Sequence, residues 1–340
     1  MKINHGTVPV GEDGSAHFKA PSNAELYFQA LDAGGKEIIR MGSVTQITTG
    51  EFASCVGCHE NRFSPPPVGI NNMARLKRPP DRIEPPSWGA GPVDYVRQVQ
   101  PVLDKYCVKC HSGATPRKDI DLSGDKTRFY SMSYESLVFR RYVDYFYLHD
   151  APSGNFPALS TGSWVSKLTK LIESKHSKVN MDEQSRRCIY AWIDANVPYY
   201  GTWDMTRPWT QGGRDAYAKT VPPARKSTVP GRVIRGRPVA QPWVAKYNAL
   251  LGRLRLPNRG PNPVNLTHPE WSRILIRNLA KSAGGTADDK KARFKSKNDP
   301  GYRELLGVLT EAGKALLATP RIDMPGARPL PQERDFGRTF

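Results

Sequence analysis

The sequence predicts a mixed, mainly α fold, with a small N-terminal β-domain followed by helical domains joined by long Pro-rich loops. Three observations carry this. Residues 8–40 show short alternating or apolar runs broken at Asp13-Gly14 and Gly34-Gly35, the pattern of hairpin strands. Further along, apolar residues recur at helical spacing, as in Val165, Leu168, Leu171 and Ile172. Thirty prolines and twenty-nine glycines in 340 residues, with a mean hydropathy of −0.56, leave much of the chain for loops and turns. This length suffices for two or three domains, each with a core.

Taken in order, residues 1–50 are expected to form a small β-sandwich-like domain. Residues 51–92 carry a Cys/His motif and then Pro65-Pro66-Pro67, Pro79-Pro80 and Pro85-Pro86, which favour an extended wrapping linker. Within 93–204, Pro101–Tyr106 reads as a short helix with Pro101 in its first turn. Glu135–Tyr147 and Trp164–Glu173 also have helical spacing, the second behind a Ser163 cap. Asn180 with Glu183 resembles a capping box for a helix carrying Ile189, Trp192 and Ile193 that stops before Pro198. Residues 205–262 are a basic Pro/Arg-rich linker in which Val244–Leu256 alone reads as helix. Residues 263–340 are expected to be a C-terminal helical unit without a Cys/His motif, on the spacing of Glu270–Ala283 and Tyr302–Leu317.

The net charge of +18 is uneven, with cations concentrated between Arg207 and Arg259. No nucleic-acid fold signature accompanies that stretch, so it reads as a solvated surface or a docking face for an acidic redox partner, and no nucleic acid is expected. No apolar run approaches the roughly 20 residues of a membrane-spanning helix, so no membrane span is expected.

Chemistry concentrates at Cys55-Val56-Gly57-Cys58-His59 and Cys107-Val108-Lys109-Cys110-His111. A two-residue gap puts two sulfurs on one edge of a porphyrin, where they add across its two vinyl groups, and the next residue reaches the iron with an imidazole. Two covalently bound haem c groups are therefore expected, with His59 and His111 as proximal iron ligands, and the helical domains should be cytochrome c-like. Zinc ribbons usually separate their cysteine pairs by roughly 15–20 residues, whereas Cys58 and Cys107 are 49 positions apart. Neither pair lies in the βαβ setting of a thioredoxin-like redox motif.

The sixth iron position separates electron transfer from catalysis. His176 lies between two expected helices and is the leading distal ligand for the second haem, with His149 next and Met132 and Met181 as outside candidates. For the first haem, Phe63 and the prolines after it offer no imidazole, which leaves an open iron or a contribution from His5 or His17. Cys188 reads as a buried thiol. Nothing after Met1-Lys2-Ile3-Asn4 has the form of a secretory signal. Covalent haem attachment normally takes place outside the cytoplasm, so the expected location is periplasmic or otherwise extracytoplasmic, with the export signal upstream of the present start.

Asp13-Gly14-Ser15-Ala16, Leu26 to Asp32, Gly50 to Glu60 around the first motif, and Trp192-Ile193-Asp194-Ala195-Asn196-Val197-Pro198-Tyr199-Tyr200-Gly201 resemble the haem-bearing C-terminal half of the hydrazine synthase alpha subunit and its multihaem cytochrome relatives. Leu279 to Gly285 and Pro320-Arg321-Ile322-Asp323-Met324-Pro325-Gly326 resemble the same family. The resemblance implies a propeller-like region upstream, hydrazine-forming chemistry at the first haem, electron transfer at a bis-histidine second haem, and other subunits of a larger complex as partners. It also implies that the first motif's histidine turns to zinc while a tyrosine four residues later ligates the iron. Here that position is Phe63, which has no oxygen, so His59 is left for the iron and zinc is not supported. The leading expectation is a dihaem c-type cytochrome for electron transfer, the haem-bearing part of a larger extracytoplasmic redox protein. The alternative is an oxidoreductase, a catalytic subunit of a hydrazine synthase-like enzyme acting on small nitrogen compounds at the first haem.

Overall fold

The computed structural model describes residues 2–42, 44–55, 78–145, 157–201, 225–226, 233–234, 242–257, 264–318, 320–321 and 323–327. Among them the fold is mixed: three two-stranded sheets and seven α-helices. The helices are α1 (Gln100–Tyr106), α2 (Met132–Phe139), α3 (Lys167–Glu173), α4 (Glu183–Asp194), α5 (Pro242–Arg253), α6 (Arg273–Ile276) and α7 (Pro300–Ala318). The chain separates into two compact units, Met1–Val93 with Val143–Pro198, and Asp94–Tyr142 with Tyr199–Phe340. The segment 93–204 thus contributes to both.

In the first unit, strands β1 (Ile3–Asn4), β2 (Gln29–Leu31), β3 (Glu37–Arg40) and β4 (Gly91–Pro92) form two antiparallel pairs, β1 with β4 and β2 with β3. The sandwich expected over 1–50 is reduced to these ladders and single bridges such as Thr7 with Glu84 and Phe18 with Asp81. The described end of the Pro-rich segment, 78–92, contains no helix: it makes single bridges at Asp81 and Glu84, turns at Pro86–Gly89 and ends in β4. It runs so close to the N-terminal strand that a Cβ on Gly6, at φ +123°, would lie 2.1 Å from the Glu84 carbonyl oxygen. The β2–β3 turn is closed by Asp32, whose Oδ1 accepts from the Lys36 N–H at 2.8 Å.

Helix α4 starts and ends on its own chemistry. Its cap is Asp182, which accepts from the Ser185 N–H at 2.8 Å, so the Asn180–Glu183 capping box is corrected. Glu183 bonds forward to Arg187 Nε and does not reach back. At the other end Asn196 turns left-handed (φ +66°), its N–H reaches the Ile193 carbonyl at 2.9 Å, and the Val197 N–H reaches that of Trp192 at 3.1 Å. Those two bonds make a Schellman stop one residue ahead of Pro198. Between the ends, Cys188, Ile189, Trp192, Ile193 and Asp194 are buried.

Asp194, only 1% exposed, ties the helix to the hairpin. It accepts from the Ser163 N–H and hydroxyl, both at 2.7 Å, and from the Glu37 N–H at 3.1 Å. Ser163 is therefore not the cap expected of it. It sits in the 3-10 turn Gly162–Trp164, while Ser166 precedes α3. Arg40 completes the cluster, donating to Glu37 and to Asn196 Oδ1 at 2.8 Å.

The second unit begins with a single π-helical turn, Tyr95–Val99, capped by Asp94 and leading directly into α1. Helix α2 starts earlier and ends sooner than the expected Glu135–Tyr147, because Ser131 caps it and Arg141 adopts φ +55° two residues after Phe139. The expected helix over Glu270–Ala283 is broken into the 3-10 turn Pro269–Trp271, the four-residue α6 and a further 3-10 turn. Leu279 and Ala280 instead use their backbone in bridges to Phe294 and Ala287, and Gly285 approaches so closely that a Cβ there would meet the Leu279 carbonyl at 2.0 Å. Helices α5 and α7 form as expected and pack together over Leu251, Leu275, Phe294, Leu305 and Leu309. Strands β5 (Arg225–Lys226) and β6 (Val233–Ile234) form a small antiparallel pair inside the basic linker. Among the described residues no helix is long and apolar enough to cross a membrane.

Candidate haem-attachment site

Helix α1 delivers the second motif. Its inner face buries Val102 and Leu103, and the Cys107 N–H closes onto the Leu103 carbonyl at 2.7 Å. The motif then continues as one tight turn, with the Cys110 and His111 N–H groups both 3.1 Å from the Cys107 carbonyl. Cys107 and Cys110 are half-buried and in no disulfide. Burial pushes the Cys107 thiol up to about 11, and the neighbouring Cys110 adds to this.

The loop that follows folds back to hold the turn. The Arg117 N–H donates to the Cys110 carbonyl at 3.2 Å and the Leu122 N–H to that of His111 at 2.7 Å. The decisive contact is His111 Nδ1 at 3.2 Å from the Ile120 carbonyl oxygen. A carbonyl oxygen only accepts, so Nδ1 is the donor in this contact and Nε2 is left to make the ring's other contact. Metal-ligating histidines almost always donate their other ring N–H in this way, which fixes both tautomer and ring direction. The residues of the second motif therefore fit a covalently attached haem.

The loop is anchored in turn by Asp119, which, like Lys118, takes a left-handed conformation. The Asp119 carboxylate meets Arg140 at 3.1 Å, Arg273 at 2.9 Å and Arg277, and Arg140 Nη1 also donates to the Asp119 carbonyl at 2.6 Å. Burial alone would raise the Asp119 carboxyl, but the Arg277 hydrogen bond and the charges of Arg273 and Arg277 outweigh it and hold it below the ordinary value. Beside the turn before α1, Tyr95, Tyr130, Tyr134 and Tyr199 form one aromatic cluster with ring centroids 4.8–5.6 Å apart. Tyr199 donates to Asp323 Oδ2 at 2.8 Å, and Arg321, itself 2% exposed, grips the same carboxylate with two bonds of 2.9 Å. The tail residues Arg321 and Asp323 are thus part of the wall of this unit.

The other expected ligands are less informative. Cys55 is exposed at the end of a described stretch, whereas Cys58, His59, Phe63 and His149 lie outside the described residues. His176 belongs to the first unit, exposed in the 3-10 turn His176–Lys178, and Cys107–His111 belong to the second. His5 and His17 are half-buried in the first unit. Met132 and Met181 are both buried, in the second and first units respectively. Cys188 is buried as expected, and its surroundings push the thiol up to about 12. Among the described residues no group of three or more His, Cys, Asp or Glu side chains is arranged to hold a metal ion. Sequence reasoning missed the Ile120 carbonyl and the Asp119 anchor. A loop returning to the motif histidine could have been anticipated, but no pattern marks Arg140, Arg273 and Arg277 as partners of one carboxylate.

Residues 1–60 match the family model of the hydrazine synthase alpha subunit middle domain. The matched stretch contains the β2–β3 hairpin and runs through the first Cys-x-x-Cys-His motif. It covers a minor part of the chain. No curated protein and no solved structure matches.

Proposed function

We propose that this chain is a dihaem c-type cytochrome, the electron-transfer part of a larger extracytoplasmic redox protein, with haem c joined to Cys55 and Cys58 and to Cys107 and Cys110. The observation that carries the reading is the His111 Nδ1–H bond to the Ile120 carbonyl, at the end of a helix that presents two unpaired thiols. When bound, haem c supplies a one-electron iron couple. The chain's own part is to hold it. Cys107 and Cys110 would carry the thioether bonds, His111 and His59 the proximal iron bonds, and the Asp119-anchored loop keeps the His111 ring from rotating. His176 is proposed as the distal ligand of the second haem on the sequence argument alone.

The family match over residues 1–60 favours a second reading, that of a catalytic subunit in a hydrazine synthase-like complex with a reactive first haem and other subunits as partners. Fold-level likeness does not carry a reaction, so the carrier is preferred. Expression with a haem-attachment system, followed by a pyridine haemochrome assay and intact mass, tests the shared claim. Two haems per chain are expected, and fewer than two overturns it. Spectra then separate the readings: two low-spin six-coordinate haems support the carrier, and a high-spin iron that takes carbon monoxide or nitric oxide supports the catalyst.

A further inference from the structure

The second unit holds a cavity of ≈ 180 Å³ that no haem ligand lines. Its apolar walls are Phe129, Trp243, Val244 and Val264, and Arg128 and Tyr247 also line it. Two features mark it as more than a packing gap. Tyr247 is 4% exposed, yet among the described residues its hydroxyl has no hydrogen-bond partner, and a buried polar atom left unpaired is costly enough that native structures rarely keep one. Arg128 is half-buried over the Phe129 ring and pairs with no carboxylate among the described residues, and burial lowers its pKa. Glu135, on the same wall, is occupied by the Thr127 hydroxyl. An orphan phenol and a guanidinium without a counter-ion both ask for an acceptor, and the walls beside them ask for a ring.

We infer that this cavity is a binding site for a small aromatic carboxylate of one ring. The ring lies among Phe129, Trp243 and Val264, and the carboxylate accepts from Tyr247 and Arg128. Size agrees: a cavity of about 150 Å³ takes benzene, which leaves room here for one small substituent. The inference stands apart from the haem reading, since it uses neither motif.

The probe is 4-fluorobenzoate, followed by ¹⁹F NMR on the full chain, with fluorobenzene and acetate as partial ligands. Saturable binding of 4-fluorobenzoate is expected, weakened about tenfold in Tyr247→Phe and in Arg128→Gln, as the loss of one charge-assisted hydrogen bond implies, and abolished in the cavity-filling Val264→Phe. Tyr247→Phe should keep or raise the melting temperature, because it removes a polar atom that has no partner. A lowered melting temperature would mean that the hydroxyl has a structural role, which overturns the assignment. So would absence of binding, equal binding of acetate, or binding of fluorobenzene as tight as that of the acid.

Discussion

Replacing Asp194 with alanine should loosen the first unit far more than a surface substitution would. Three donors lose their acceptor: the Ser163 N–H and hydroxyl at 2.7 Å and the Glu37 N–H at 3.1 Å. Ser163 is fully buried and Glu37 nearly so, so water does not readily replace the carboxylate. Each stranded donor costs about 1–3 kcal/mol, a gross loss of roughly 3–9 kcal/mol for the three. Against this, removing Asp194 relieves a buried carboxylate. Burial raises its pKa first and foremost, and the Ser163 hydrogen bonds compensate in part. The net loss should be about 3 kcal/mol, equivalent to roughly a hundredfold change in an opening equilibrium. Hydrogen exchange read by mass spectrometry reports this by segment: peptides covering 29–40 and 183–197 should exchange about a hundredfold faster, while those covering 100–122 and 300–318 stay unchanged. Asp194→Asn, which keeps an acceptor oxygen, should fall between. Less than a tenfold change in the hairpin and α4 peptides, or an equal change in the second unit, would mean that the buried carboxylate does not join hairpin to helix.

Four other outcomes rest on carboxylates and on the second Cys/His motif. Burial would raise Asp323, but the Arg321 charge and hydrogen bonds outweigh it and hold the carboxyl at about 2, against an ordinary 3.8. The resulting stability, about 2 kcal/mol, is present above pH ~4 and should be lost from the second unit as pH falls toward 2. Glu37 and Asp194 have the opposite sign. Both are raised, mainly by burial, so their ionisation costs stability, and acid titration through the ordinary carboxylate range should not weaken the first unit as it weakens the second. Asp119→Asn should lower the melting temperature by a few degrees, because it leaves Arg273, 4% exposed, without its anion, and an unchanged midpoint would remove Asp119 as the anchor of the loop. Cys107→Ala with Cys110→Ala should reduce the intact mass by one haem while leaving the other attached, whereas unchanged haem content would place the attachment elsewhere.

Local chemistry made the helices legible where it acts alone. The apolar spacing of Tyr302, Leu305, Leu309 and Leu316 predicts α7, and Pro198 predicts the end of α4, because neither depends on a distant partner. The errors fall where a remote residue competes. Ser163 has the chemistry of a cap, but Asp194, thirty-one positions later, offers it a fully buried acceptor, and a buried hydrogen bond outweighs an exposed cap. Likewise the helical spacing of 270–283 loses to Phe294 and Ala287, which take the backbone of Leu279 and Ala280 into bridges.

The same distinction runs through the candidate site. Cys107, Cys110 and His111 stand out from spacing alone because the thioether attachment and iron ligation proposed for them would both be set by adjacent residues. What keeps the His111 ring in one orientation is not local. The Ile120 carbonyl is nine residues on, and the loop bearing it is pinned by Asp119 against arginines from three places in the chain. A motif of five residues can mark a candidate attachment point, but the orientation of its histidine depends on a fold that brings positions 119, 140, 273 and 277 together. The tail from Arg321 to Asp323 belongs to the same unit, through its bonds to the Thr127 and Tyr130 carbonyls and to Tyr199. Removing the tail should therefore disturb the tyrosine cluster beside α1 even though it carries no cysteine or histidine.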